Sequence, residues 1–284
     1  MKYASISQRG VALIAVLWLV AAMGLIITGI VRSVRSEVHT AGVQRQATVA
    51  GAQADAAILL ALQNLHALQK EPLKSTQVMQ VQFEDRASEV TVQPLNGMID
   101  LNNASIVLLT EMYRHAGGLD PALAQAMAQA TIETRQSKNS KGATQGFDAI
   151  EDLMRVPAMT YDLYAKINSL VTANLKEGNG RVNPMAASVD VLQVLTGGDG
   201  ARANSLATGR GSGSLPMDTS FLKPEFIEMA PSRSLQLEVG VKLPGGGNFQ
   251  KTWQVFWSTD PRSGLPWRVL DMRQSIQQPA PSDY

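Results

Sequence analysis

Residues 8–37 read QRGVALIAVLWLVAAMGLIITGIVRSVRSE, and the reading of this stretch decides the fold. Residues 11–31 form an apolar run of 21 residues without a charge, preceded by Lys2 and Arg9 and followed by Arg32 and Arg35. A secretory signal has an apolar core of roughly 7–15 residues and a small-x-small cleavage site after it. This run is longer, and TGIVRSVRSE at its end offers no such site. As a helix it is about 31 Å long, the thickness of a bilayer's hydrocarbon core. Such a helix satisfies its own backbone polar groups, so it can span. The flanking charges nearly balance and orient it weakly. A short tail is easier to keep in the cytoplasm than the rest of the chain. The expectation is a single-pass anchor with the bulk of the protein on the far side.

The helix is expected to continue past the membrane face. No proline occurs before Pro72, and residues 33–69 are rich in Ala, Leu, Gln and Val, which form or tolerate helix. Ile58, Leu62 and Leu65, with Leu59, Leu60 and Leu68, give an i, i+3, i+4 stripe broad enough to bury. Gly24, Gly29, Gly42 and Gly51 are local weak points.

Composition removes several function classes. There is no cysteine, which excludes thiol catalysis, cysteine-ligated zinc and disulfides. His39, His66 and His115 match no metal-ligand spacing. A net charge of +1 gives no global pull toward nucleic acid. GRGSGS lacks the lysine of a phosphate loop and fits no GxSxG pattern. Glu151, Asp152 and Asp162 suit solvated helix starts better than an acid–base pair. His115 suits a helix C-terminus, and Trp253 with Trp257 suit a sheet core. The chain is expected not to be an enzyme.

Beyond the long helix, Met79, Val81 and Phe83 alternate, as do Val90 and Val92, with EDRAS (residues 84–88) as the connecting turn. Leu235, Leu237, Val239, Val241 and Leu243 alternate without a miss. PGGGN then turns the chain into Phe249, Lys251, Trp253, Val255 and Trp257. A last strand is expected at 267–273. These strands predict an antiparallel sheet packed on the second half of the helix.

Between them the pattern turns helical. Asn103 or Ser105 caps a helix to about His115, ended by Gly117 and Gly118. Asp120-Pro121 opens another to about Gln136. SKNSKGATQG (137–146) reads as a loop. FDAIEDLMRV and TYDLYAKINSLV read as a helix pair around VPAM, with Thr160 as a cap. GGDGARANSLATGRGSGSLP (197–216) reads as a mobile linker. GMIDLNNASIVLL (97–109) aligns without gaps onto GRVNPMAASVDVL (180–192), an internal repeat that leads twice into a helix.

Gln-Arg-Gly followed by VALIAVLWLV resembles a type IV prepilin or pseudopilin leader. The resemblance implies cleavage by a membrane peptidase after Gly10 and methylation of the new N-terminus at Val11. Lys2 and Arg9 would be lost and the apolar run kept, first as anchor and then as filament core. Pilins usually carry Phe at the first mature position and Glu at the fifth, where this chain has Val11 and Ala15. In the family that Glu neutralises the terminal amine of the next subunit, since an unpaired buried charge costs several kcal/mol. A subunit with nothing above it needs no such partner, and its absence is a feature of the K-type minor pseudopilins of type II secretion systems (general secretion pathway protein K). The repeat and LMRVPAMTYDLYAKI resemble the helix-hairpin-helix-like domain inserted in that family.

The fold implied is α+β: a pilin-like long N-terminal helix on an antiparallel sheet, with an inserted helical domain. Its parts would be a leader (1–10), a transmembrane helix (11–31), helix and first strands (32–96), the helical domain (97–215) and the remaining sheet (216–284). The function implied is that of a minor pseudopilin at the pseudopilus tip, acting in protein export. Its implied place is the bacterial inner membrane, single-pass, with most of the chain periplasmic. Partners implied are the I- and J-type minor pseudopilins and the prepilin peptidase. No cofactor is implied for certain. Some members bind calcium in the helical domain, and no ligand loop maps residue by residue here, so calcium has no assigned site.

Two alternatives stay open. One is a minor pilin at a type IV pilus tip. The other is a membrane-anchored helix-hairpin-helix protein that binds nucleic acid. Against the latter, Pro157 donates no N–H, Ala158 stands where such hairpins carry glycine, and residues 97–215 hold 10 basic and 11 acidic side chains. No nucleic-acid partner is therefore expected.

Overall fold

Unbroken helix-forming sequence produces one helix of 60 residues, α1 (Arg9–Leu68), about 90 Å long. The structure is a computed structural model and describes residues 9–68, 71–138, 142, 144–210, 218–244 and 246–277. Within α1, side chains are described for residues 14–24, 37 and 41–68. In the first half of α1 the described side chains, 14–24 and 37, are all exposed. From Ala50 onward the helix seats Ala50, Ala54, Ala57, Ile58, Ala61, Leu62 and Leu65 on a sheet. The small alanines let the helix axis approach the sheet closely, and Ile58, Leu62 and Leu65 supply the apolar area.

That sheet has five antiparallel strands in the order β1 (Gln77–Phe83), β2 (Arg86–Pro94), β5 (Ser234–Lys242), β6 (Asn248–Phe256) and β7 (Arg268–Gln277). The alternating residues face α1 as their pattern requires: Val90 and Val92, Leu235 to Val241, and Phe249, Trp253 and Val255 are buried there. Lys251 shares this face and pairs with Asp55 of α1 at 2.6 Å. Two details differ from the sequence reading. The first hairpin turns on Glu84 and Asp85 alone, because Phe83 pairs with Arg86, so Arg86 to Ser88 belong to β2. The last strand runs on to Gln277.

Between β2 and β5 the chain leaves the sheet and builds a second core. Its elements are β3 (Ile99–Asp100), α2 (Ile106–His115), α3 (Pro121–Gln136), a 3-10 turn (Ile150–Arg155), α4 (Tyr161–Ile167), β4 (Val171–Thr172), α5 (Val189–Leu195) and α6 (Gly200–Gly209). Ile99, Leu108, Leu109, Met112, Tyr113, Leu153, Ile167, Val182, Leu192 and Phe226 are among its buried side chains. Ser105, Asp120 and Thr160 cap α2, α3 and α4 by accepting backbone N–H bonds.

Two expectations fail in this domain. FDAIEDLMRV forms only the short 3-10 turn. Pro157 biases Val156 away from helical geometry, and the Asp152 carboxylate accepts the N–H groups of Asp148 and Ala149. The stretch 197–216 is not a linker throughout. Asp199 accepts the Arg202 N–H and caps α6, whose Ala203 and Leu206 are buried; residues 211–216 lie outside those described.

Candidate functional site

The first candidate is the free half of α1. Val16, Leu17, Trp18, Leu19 and Val20 are all exposed, Trp18 by 71%, and five successive residues cover every side of a helix. A helix apolar on all sides is stable only when its surroundings are apolar too, as in a bilayer or a bundle. Ala15 is exposed on this same segment. Gly10 and Val11 open α1, and their side chains, like residues 1–8 of the expected leader, lie outside those described. Among the described residues no helix is long and apolar enough to cross a membrane. Of the run 11–31, only the side chains of 14–24 enter that statement.

The second candidate is the helical domain, where the repeat acquires a physical meaning. Asp100 Oδ1 accepts the Asn102 N–H at 3.0 Å, and Asn183 Oδ1 accepts the Met185 N–H at 3.0 Å. Ser105 caps Leu108, and Ser188 caps Val191. Arg135, at the end of α3, donates through Nη1 to the carbonyls of Leu101 and Ala104 at 3.0 and 2.9 Å. Arg210, just past α6, donates through Nη1 to those of Pro184 and Ala187 at 3.1 and 2.6 Å. In the alignment Leu101 corresponds to Pro184 and Ala104 to Ala187. Each unit is therefore a capped turn and a helical hairpin whose last arginine pegs it back to its own beginning.

The two units also meet reciprocally. A Cβ on Gly97 would overlap the backbone of Ala186, and one on Gly180 would overlap the carbonyl of Asn103. Gly97 corresponds to Gly180, and Asn103 to Ala186. Each unit adds a short parallel pairing of the same kind: Ile99 with Val171, and Val182 with Ile227. The arginine pegs and α6 were missed in the sequence. The available signal was a second likeness, Gly117-Gly118-Leu119-Asp120 between α2 and α3 and Gly197-Gly198-Asp199 between α5 and α6.

Burial raises the Asp100 carboxyl above its ordinary range, against the lowering effect of Asn103, Asn102 and Arg135. Burial lowers the guanidinium of Arg135, which Asp100 partly offsets, and also that of Arg210. Asp100 Oδ2 takes the Asn103 amide at 2.6 Å. Its oxygens thus serve the turn. Calcium takes six to eight oxygens, commonly with several carboxylates. Among the described residues no three His, Asp or Glu side chains converge on one point, and calcium has no assigned site among them.

Other residues singled out in the sequence take structural places. His115 Nε2 lies 3.0 Å from Glu111 one turn back on α2. Trp253 is buried in the sheet core, with Trp257 packed against it. Glu151 and Asp162 are exposed. Ala158 holds φ of +65° in the VPAM turn, the left-handed geometry that a glycine would adopt freely.

A helix-on-sheet body with a mainly helical domain set between two neighbouring sheet strands, β2 and β5, defines the class: a pilin-like fold of the GspK kind. One solved structure that shares it is a chain in the crystal structure of the GspK-GspI-GspJ complex from the enterotoxigenic Escherichia coli type 2 secretion system. The match has a TM-score of 0.55 and 13% sequence identity, and covers 82% of this chain and 98% of that one. No protein-family model and no curated protein matches the sequence.

Proposed function

We propose that this chain is a K-type minor pseudopilin, placed at the tip of a type II secretion pseudopilus and acting mechanically in export across the outer membrane. The observation that carries the reading is the fold shared with a chain of the GspK-GspI-GspJ complex over 82% of this chain and 98% of that one. Residues 11–31 would first anchor the subunit in the inner membrane and then pack against neighbouring helices, which fits the apolar side chains that residues 16–20 present on every side of α1. Cleavage after Gly10 and methylation of Val11 by a prepilin peptidase follow from the leader. Ala15, with no carboxylate to offer a further amine, suits a subunit that nothing caps. The Ser, Asp and Thr caps and the two arginine pegs hold the helical domain together, which suits an architectural role. Partners would be the I- and J-type minor pseudopilins of the same machine.

The test is intact mass and N-terminal sequence of the protein from membranes with and without a prepilin peptidase. The reading requires a chain beginning at methylated Val11 only when the peptidase is present. A chain beginning at Met1 in both cases overturns it and leaves residues 11–31 an ordinary anchor.

A further inference from the structure

Where α1 leaves the sheet, a cavity of about 680 Å³ opens between the helix and the β5–β6 turn. On the helix side it is walled by Gly42, Arg45, Gln46, Val49, Ala50 and Gln53, whose spacing of three and four residues places them along one face. Arg86, Val241, Lys242, Leu243 and Pro244 close the other side. Its volume is that of a ligand-sized site.

The lining has one sign of charge. Arg45, Arg86 and Lys242 line the cavity, and no carboxylate does. Glu84 and Asp85 occupy the neighbouring turn without lining it. Among the described residues none of the three cations is in an ion pair with a carboxylate, and Arg86 Nη1 donates instead to Gln53 Oε1 at 2.8 Å. Between the charges lies apolar surface: Val49 is 51% exposed, and Leu243 is half-buried. Cations around an exposed apolar strip on a helix face match a segment that is both acidic and amphipathic.

Height along α1 separates two sources of negative charge. Arg45 lies fourteen residues beyond Val31, about 21 Å of helix. The headgroup layer adds only about 5–8 Å to each side of the hydrocarbon core. A subunit anchored by residues 11–31 therefore holds this cavity beyond the lipid headgroups and at the level of its neighbours' soluble parts.

We propose that the cavity between α1 and the β5–β6 turn receives an acidic amphipathic segment of a neighbouring pilin-like subunit, held by Arg45, Arg86 and Lys242 around Val49 and Leu243. The inference rests on the pseudopilin reading and adds the docking face and the chemistry of the partner. A partner helix running beside the free half of α1 leads directly to this cavity, since the wall residues continue the same helix.

The experiment uses the full chain in its own cells, with a photo-reactive benzoylphenylalanine replacing Val49 in one strain and Trp18 in another. Cross-linked peptides are sequenced by mass spectrometry. The Val49 probe is expected to join a stretch of a pilin-like subunit that carries Asp or Glu. Arg45→Glu with Lys242→Glu is expected to reduce the product about fivefold or more, and changing an acid of the joined stretch to Lys is expected to restore it. Both arginine and lysine are exposed, and an unchanged Trp18 product shows that the variant still folds and inserts. A Val49 product with lipid, with a stretch lacking acid, with no partner, or of unchanged yield after charge reversal overturns the inference. If Trp18 still joins pilin-like subunits in those cases, the proposed function stands. If neither position finds one, both fall.

Discussion

Arg135→Ala removes one peg of the helical domain, and its consequence follows from the hydrogen bonds lost. One nitrogen, Nη1, donates to the carbonyls of Leu101 and Ala104. A hydrogen bond involving a charged group contributes about 1.5–3 kcal/mol. Arg135 is half-buried, so water reaches part of the vacated space and the two bonds, which share one nitrogen, are together worth about 2–3 kcal/mol, at or below the low end of their sum. The loss falls on the junction between the turn that starts α2 and the end of α3. All four tryptophans, Trp18, Trp253, Trp257 and Trp267, lie outside this domain, so their fluorescence does not register the change. Native-state hydrogen exchange with mass spectrometry does. Protection of α2 and α3 amides that open with the domain is expected to fall about 30- to 150-fold, at one decade per 1.4 kcal/mol. Arg210→Ala is expected to do the same to α5 and α6, because its two bonds are the equivalent ones. Arg135→Lys, whose ammonium carries three donors on a shorter stem, keeps part of the protection. A change below about threefold in both alanine variants refutes the peg argument.

Tyr113 donates to or accepts from Thr131 Oγ1 at 2.7 Å in the same core, and burial pushes its hydroxyl up to about 12. The folded form holds that proton more tightly than the unfolded chain, so the contribution is complete below about pH 10 and is lost as pH rises toward 12; the helical domain's protection should decline over that window in the parent and less in Tyr113→Phe. Gly180→Ala meets both a φ of +79° and the Asn103 carbonyl, whereas Gly142→Ala meets a φ of +78° and open space. Thermal unfolding should show about 1–2 kcal/mol for the second, the left-handed cost alone, and clearly more for the first; equal losses would mean that the reciprocal contact carries nothing. Ala57→Leu forces a larger side chain between α1 and the sheet and is expected to cost about 1–3 kcal/mol, read from tryptophan fluorescence in urea. Gly10→Ala is expected to slow or block cleavage, and normal processing would count against a prepilin leader.

Local chemistry reached far into this fold where one side chain governs one backbone event. Asp120 and Thr160 marked two helix starts, Ser105 was one of two candidates for a third, and the period-2 runs placed β1, β2, β5 and β6. It reached less far where distant pairing prevails. TYDLYAKINSLV stops being helix at Ile167 because the carbonyls of Leu170 and Thr172 accept the N–H groups of Ile99 and Leu101, some seventy residues earlier in the chain. Composition misled at 197–216, where glycine and serine suggested a linker and the Asp199 cap with Ala203 and Leu206 made α6. The repeat was visible as a pattern, but its reciprocal glycine contacts and arginine pegs depend on how the two units face each other. The cavity beside Arg45, Arg86 and Lys242 draws on three separate parts of the chain and has no local signature. The leader at Gly10 and Val11 and the meaning of Ala15 rest on resemblance, and chemistry on the mature protein tests them.

The central claim is that this chain completes a three-part tip. Its most direct test is native mass spectrometry of the processed full chain, co-expressed with the I- and J-type minor pseudopilins of its own machine and purified in detergent. The account predicts one complex with a single copy of each. Recovery of the I–J pair without this chain, under conditions where all three are made and processed, would contradict it.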